Sequence, residues 1–183
     1  MKTAGIDRYS SVAIFLHWTI AAAIFFMLGS GTVMVYGDLE QATQFQVYQW
    51  HKGAGVLLLL AVILRLAWRL ISKVPPLPIG MPNWETIAAK LGHYGLYALM
   101  ILMPLTGWVI VSASVYGLPT IVFGWFTWPH IPGLQGNAFV EEIAETAHLA
   151  LAIALGLFIA VHIAAVIKHY WLDRENLLKR MWW

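Results

Sequence analysis

The sequence predicts an all-α integral membrane protein: a four-helix bundle with both termini on the cytoplasmic side. Three observations carry this. Of 183 residues, 60% are hydrophobic and 11% charged, and mean hydropathy is +0.71, whereas a water-soluble domain is about one-quarter charged. Four apolar runs each reach the roughly 20 residues that cross a bilayer core. Lysine and arginine crowd alternate connections, the asymmetry that fixes membrane orientation. This length accommodates four spans and short connections within one domain covering residues 1–183.

Span 1 is expected from about Ser11 to Tyr36. Lys2 and Arg8 precede it, but the apolar stretch is too long for a signal-peptide core and lacks a small-residue cleavage site. Span 2 is expected from about Val47 to Ile71, span 3 from about Leu91 to Val115, and span 4 from about Ile143 to Trp171. Between spans 2 and 3, Lys73-Val74-Pro75-Pro76-Leu77-Pro78 is incompatible with a helix interior. Asn83-Trp84-Glu85-Thr86 then reads as a capping box opening the next helix. The longest connection, between spans 3 and 4, holds Val122-Phe123-Gly124-Trp125-Phe126-Thr127-Trp128-Pro129-His130, a composition suited to the membrane–water interface. No repeat or low-complexity tract is evident.

Orientation follows from the cations. Lys2, Arg8, Arg65, Arg69, Lys73, Lys90, Lys168, Arg174, Lys179 and Arg180 all fall on the side of the two termini. Residues 37–50 and 116–140 contain no Lys or Arg, which leaves Lys52 alone on the other side. Ten of eleven basic residues therefore place both termini in the cytoplasm. The net charge of +2, without a basic arm, excludes nucleic acid as the expected partner; that partner is the lipid bilayer.

The chain has no cysteine. Disulfides, thiolate-bound zinc, cysteine-held iron–sulfur clusters and covalently attached haem are thereby excluded. Seven histidines remain for metal chemistry. An ionisable side chain inside a membrane helix is costly and marks a functional candidate. His17 falls near the cytoplasmic end of span 1, and His51 near the outer end of span 2. Span 4 holds both His148 and His162, fourteen residues apart. That is nearly four turns, so both rings share one face about 21 Å apart along the axis. Depth pairs His17 with His162 and His51 with His148. Two imidazole pairs at two depths are what two six-coordinate haems require.

A membrane histidine can also serve simply by bonding another helix. That role stays open for His93, beside a contact to quinone or support of a neighbouring ligand ring; it has no unpaired counterpart at its depth unless it replaces His17 or His162. His130 and His169 are expected at the interfaces, solvated. Gly53, Gly55, Gly92, Gly95 and Gly156 would let a flat macrocycle, or a neighbouring helix, approach the backbone. Lys52, Arg65 and Arg69 are candidates for pairing with haem propionates and equally for anchoring at the interface.

Leu16-His17-Trp18, His51-Lys52-Gly53, Arg65-Leu66-Ala67-Trp68-Arg69, Leu91-Gly92-His93, Ala147-His148-Leu149, Val161-His162-Ile163 and Lys168-His169-Tyr170 occur in an order that resembles the bacterial dihaem cytochrome b561 family over nearly the whole chain. The resemblance implies a four-helix bundle in the bacterial inner membrane, holding two non-covalent haem b groups. It carries the iron-ligand role to His17, His51, His148 and His162. It also implies electron exchange between membrane quinone and a periplasmic donor or acceptor, in one branch superoxide oxidation coupled to ubiquinone reduction.

A surface collecting superoxide is expected to be electropositive. Here the outer side carries Asp38, Glu40, Glu141, Glu142 and Glu145 against Lys52, a formal balance of −4. The outer aromatics Trp125, Phe126 and Trp128 would wall a substrate pocket or form an interfacial belt. A competing role is that of a cytochrome b membrane-anchor subunit serving a larger redox enzyme. A proton-coupled transporter ranks below both, because the spans lack buried Asp or Glu and an inverted repeat.

Overall fold

The computed structural model describes residues 8–77 and 80–183, so Lys2 and Pro78 lie outside the described residues. Four helices, α1 (Ser11–Tyr36), α2 (Gln41–Ile71), α3 (Asn83–Ala113) and α4 (Ala138–Trp171), are each long and apolar enough to cross a membrane. A short hairpin, β1 (Thr120–Val122) and β2 (Phe126–Trp128), lies between α3 and α4. A 3-10 turn at Leu177–Met181 follows α4.

Three helices start before their expected spans, α2 at Gln41, α3 at Asn83 and α4 at Ala138; α3 also stops slightly earlier, at Ala113. Hydropathy locates the part of a helix that contacts hydrocarbon. The backbone ladder continues past the apolar run into polar first turns such as Gln41-Ala42-Thr43-Gln44, where the Gln44 amide donates to the Glu40 carbonyl. The expected capping box does not form: Asn83 is already helical, Pro82 is the cap residue, and no side chain caps it. Glu85 instead pairs with Lys168 across the bundle, at 2.5 Å. The N-terminus of α1 is capped by Ser10, whose Oγ accepts from the Ala13 amide, and that of α4 by Asn137.

The close helix contacts are α1 with α2, α3 with α4, and α2 with α3. Ile20 and Ile24 of α1, Leu58 and Val62 of α2, Leu99 and Met100 of α3 and Leu155 of α4 form a buried layer at mid-bundle. Much of the remaining apolar surface, such as Phe25, Leu64, Leu157 and Val161, faces outward. That inversion suits lipid, which exerts no hydrophobic penalty on such side chains.

At the end that carries the termini, the Tyr9 amide donates to the Arg180 carbonyl (3.1 Å). The Trp18 indole donates to Met181 (2.7 Å), and Arg180 donates to Pro76. Lys168 bridges Glu85 and Asp173, while His169 Nδ1 lies 2.7 Å from Asp173. His169 is thus held in an ion-pair cluster with only 12% of its side chain exposed, rather than solvated as expected. The Lys168 ammonium, aided by His169, holds the Asp173 carboxyl below its ordinary range.

The aromatic connection folds back onto the opposite end. Its turn uses positive φ at Phe123 (48°) and Gly124 (77°), the handedness that matches strand twist. Gly53 of α2 admits the hairpin, because a Cβ there would already touch Ile121 and Phe123. Lys52 donates to the Pro119 carbonyl (3.2 Å). Trp108 donates to Pro129 (2.7 Å), and Ser112 accepts from the Ile131 amide (3.0 Å). Between these two anchors His130 is half-buried. Its Nε2 is shielded from solvent without a partner among the described residues, a correction to the expectation that it is solvated.

Candidate cofactor site

The histidines of α1, α2, α3 and α4 gather in two layers. At the end with the termini, the rings of His17 and His162 have centroids 6.4 Å apart, inclined at 58°. At the hairpin end, His51 and His148 are also 6.4 Å apart, inclined at 70°. These are the two pairs expected from depth. His93 joins the first layer, its ring 5.9 Å from that of His162.

Both pairs cross between helices that are not close neighbours. His17 of α1 faces His162 of α4, and His51 of α2 faces His148 of α4. Neither α1 with α4 nor α2 with α4 is among the closely packed helix pairs. Each pair therefore bridges a gap between backbones. A metal bonds imidazole nitrogen at about 2 Å, so two imidazoles on opposite sides of one ion have centroids about 6.3 Å apart. The observed separations match that value. The donor set is also right for haem iron, with neutral imidazoles only and no thiolate.

The surroundings of the two layers differ. Ser30 Oγ of α1 lies 2.9 Å from His51 Nδ1 and donates to the Met27 carbonyl at 3.2 Å. Thr106 Oγ1 of α3 lies 2.9 Å from His148 Nδ1 and donates to the Met103 carbonyl at 2.8 Å. A hydroxyl has one proton. With that proton on a carbonyl, each oxygen offers the ring a lone pair, so each Nδ1 carries hydrogen and each Nε2 is the free donor atom. Beside these residues stand Gly31 and Gly107. A Cβ at Gly31 would lie 3.5 Å from His51 Cε1, and one at Gly107 would lie 3.2 Å from His148 Cε1.

In the first layer, Arg65 takes the place of the hydroxyls. Its Nη2 lies 3.2 Å from His17 Nδ1, Nη1 donates to Ala13, and Nε donates to Tyr97 Oη. Guanidinium can only donate, so in this arrangement the His17 proton sits on Nε2. Arg65 must release Nδ1 before Nε2 can bind a metal. Arg69 stacks over the Tyr97 ring at 5.8 Å.

Sequence reasoning did not single out Ser30, Gly31, Thr106 or Gly107. A spacing signal exists: His17 to Gly31 and His93 to Gly107 are both fourteen residues, as are His51 to Arg65 and His148 to His162. Of the glycines that were expected to admit a macrocycle, Gly53 seats the hairpin, Gly55 contacts Met27, and Gly95 faces the Phe158 ring. Gly92 and Gly156 face open space.

Comparison with known proteins places these features in one lineage. Residues 8–183 match the family model described as "Prokaryotic cytochrome b561". The chain is 31% identical to "Cytochrome b561 homolog 2" of Escherichia coli (strain K12), over 96% of this chain and 91% of that protein. It is 26% identical to "Probable superoxide oxidase CybB" of Yersinia pestis, over 95% of each. It is 25% identical to "Cytochrome b561 homolog 1" of Escherichia coli (strain K12), over 96% of this chain and 97% of that protein. With four membrane-crossing helices, histidine pairs spaced for haem iron and a match along almost its whole length, the chain belongs to the prokaryotic cytochrome b561 family of haem b electron-transfer proteins.

Proposed function

We propose that this cytochrome carries electrons across the bacterial inner membrane through two b haems, one between His17 and His162, the other between His51 and His148. The observation that carries the reading is the repetition of one separation, 6.4 Å, at two heights of the bundle. Fourteen residues between His148 and His162 set those heights about 21 Å apart.

The distribution of Lys and Arg supports cytoplasmic termini, so the hairpin end is periplasmic. The haems supply one-electron transfer at each layer when bound. The protein holds the imidazoles, excludes water with the Ile20, Leu58, Val62 and Leu155 layer between them, and sets the environment of each ring. Membrane quinone, ubiquinone by the family resemblance, exchanges electrons at one layer, and a small periplasmic donor or acceptor at the other. The name of the Yersinia relative makes superoxide the donor to test. Its oxidation balances as two superoxide anions, one quinone and two protons giving two dioxygen molecules and one quinol. Lys52, adjacent to His51, is the periplasmic cation available to attract it.

Haem per chain is measured by the pyridine haemochrome method on the purified protein, with reduced-minus-oxidised spectra. Two low-spin b haems are expected, His148→Ala losing the hairpin-end haem and His162→Ala the other. Equal loss in both variants, or no haem after expression with haem supplied, would refute the pairing. A soluble redox subunit that co-purifies stoichiometrically would support the membrane-anchor role instead.

A further inference from the structure

The two hydroxyls at the hairpin-end layer are placed too similarly to be incidental. Ser30 and Thr106 come from different hairpins of the bundle, α1–α2 and α3–α4. Each nevertheless sits one residue before the glycine that faces a histidine, and each lies 2.9 Å from that histidine's Nδ1. A serine or threonine in an apolar helix commonly spends its proton on its own preceding turn. Both do so here, toward Met27 and Met103. What is left over is a lone pair, and in each case it meets an imidazole of the neighbouring helix. His51 meets the Ser30 hydroxyl, and His148 meets the Thr106 hydroxyl together with the Met103 carbonyl that Thr106 itself bonds.

We infer that Ser30 and Thr106 are positioning residues of the hairpin-end haem: their hydroxyls accept the Nδ1 hydrogens of His51 and His148, hold both rings with Nε2 toward iron, and lower that haem's reduction potential. This rests on the reading that His51 and His148 ligate a haem. The physical route is short. A ligand imidazole whose second nitrogen donates to an oxygen is fixed in tautomer and orientation and becomes a stronger base. A stronger base stabilises ferric over ferrous iron, so the potential falls. Among the described residues, no hydroxyl bonds a ring nitrogen of His17 or His162, where Arg65 meets His17 instead, so that layer is the internal reference.

The test is spectroscopic potentiometry of both haems in the purified holoprotein, the hairpin-end haem being identified as the one absent from His148→Ala. Ser30→Ala and Thr106→Val should keep two haems per chain and raise only the hairpin-end potential. An expected threefold change in the ferric-to-ferrous ratio is about 28 mV, at about 59 mV per decade for one electron. The double variant should show the sum of the two shifts, and Thr106→Ser and Ser30→Thr should keep the wild-type value. The low-spin electron paramagnetic resonance signal of the same haem should change, because the rings lose their rotational restraint.

Unchanged potentials, or equal shifts at both haems, would overturn the assignment. If Ser30→Ala or Thr106→Val loses the haem outright, the hydroxyl-retaining variants decide. Full occupancy and wild-type potential in them supports the assignment, and loss there overturns it. Fewer than two haems per chain in the unmodified protein would overturn the two-haem reading itself, and with it this inference, before any variant is compared.

Discussion

Gly107 offers the sharpest test of how tightly the hairpin-end layer is built. A methyl group there would stand 3.2 Å from Cε1 and 3.6 Å from Nδ1 of His148. Comfortable carbon contacts begin at about 3.5 Å, so the ring must retreat by about 0.3 Å. It is not free to do so, because Thr106 holds Nδ1 at 2.9 Å and metal–ligand distances tolerate only about 0.2 Å. Gly107→Ala is therefore expected to weaken haem retention at this layer about tenfold, or about 1.4 kcal/mol. Gly31→Ala is the control, since its methyl meets His51 at 3.5 Å, an ordinary contact. Either change favours the helix by about 1 kcal/mol, so global unfolding should not intervene. The assay is haem transfer from the purified cytochrome to excess apomyoglobin, followed at the hairpin-end haem. Equal retention in the two variants would refute the reasoning.

Two further outcomes follow from the ends of the bundle. Because the chain has no cysteine, single cysteines report orientation directly: Thr127→Cys should react with a membrane-impermeant maleimide in spheroplasts, and Lys179→Cys only after lysis. The reverse pattern would refute cytoplasmic termini. At the other extreme of pH, Asp173 is held below its ordinary 3.8 by Lys168 and His169. A carboxyl lowered on folding stabilises the fold above its unfolded value and loses that contribution as pH falls through the folded one. Thermal melts of the native protein and Asp173→Asn should therefore differ at neutral pH and converge in strong acid; a difference that persists there would exclude the carboxylate as its source.

The spans were legible because hydropathy is a local property that needs no knowledge of neighbours. So was the grouping of the histidines, since fourteen residues on one helix fix two heights and each remaining ring has only one height to occupy. What the rings hold is not written in that spacing. The hydroxyl partners were less visible still. Ser30 and Thr106 read as ordinary polar interruptions of apolar helices, and only the crossing of α1 over α2 and α3 over α4 reveals where their second lone pairs point. His169 was misplaced for a related reason: nothing local announces that Glu85, 84 residues earlier, closes over it. The helix starts at Gln41, Asn83 and Ala138 escaped hydropathy because Gln41, Gln44, Glu85, Glu141 and Glu142 make those first turns polar.

The equal spacings show why one layer is simple and the other is not. With α1–α2 set against α3–α4, Ser30-Gly31 corresponds to Thr106-Gly107 and His51 to His148, so the hairpin-end layer holds like residues on both halves. In the other layer His17 corresponds to His93 and Arg65 to His162, which leaves three imidazoles and one guanidinium. His93 is thus the counterpart of a ligand candidate, and Arg65 occupies the position where symmetry would place a fourth ring. That substitution puts a permanent cation inside the His17 layer, whereas Lys52, the neighbour of His51 in the other layer, donates to the Pro119 carbonyl of the hairpin connection. A nearby positive charge favours ferrous haem, because reduction adds an electron to the site. The hydroxyl acceptors at the hairpin end act in the opposite sense. With a haem in each proposed site, both effects would slope the potentials the same way, toward the layer near the termini, so an electron entering at the hairpin end would run downhill to the other layer. Arg65→Gln keeps a hydrogen-bond donor and removes the charge; it should lower the potential of the haem between His17 and His162 and leave the other in place. An unchanged gap between the two potentials would show that Arg65 does not set the slope.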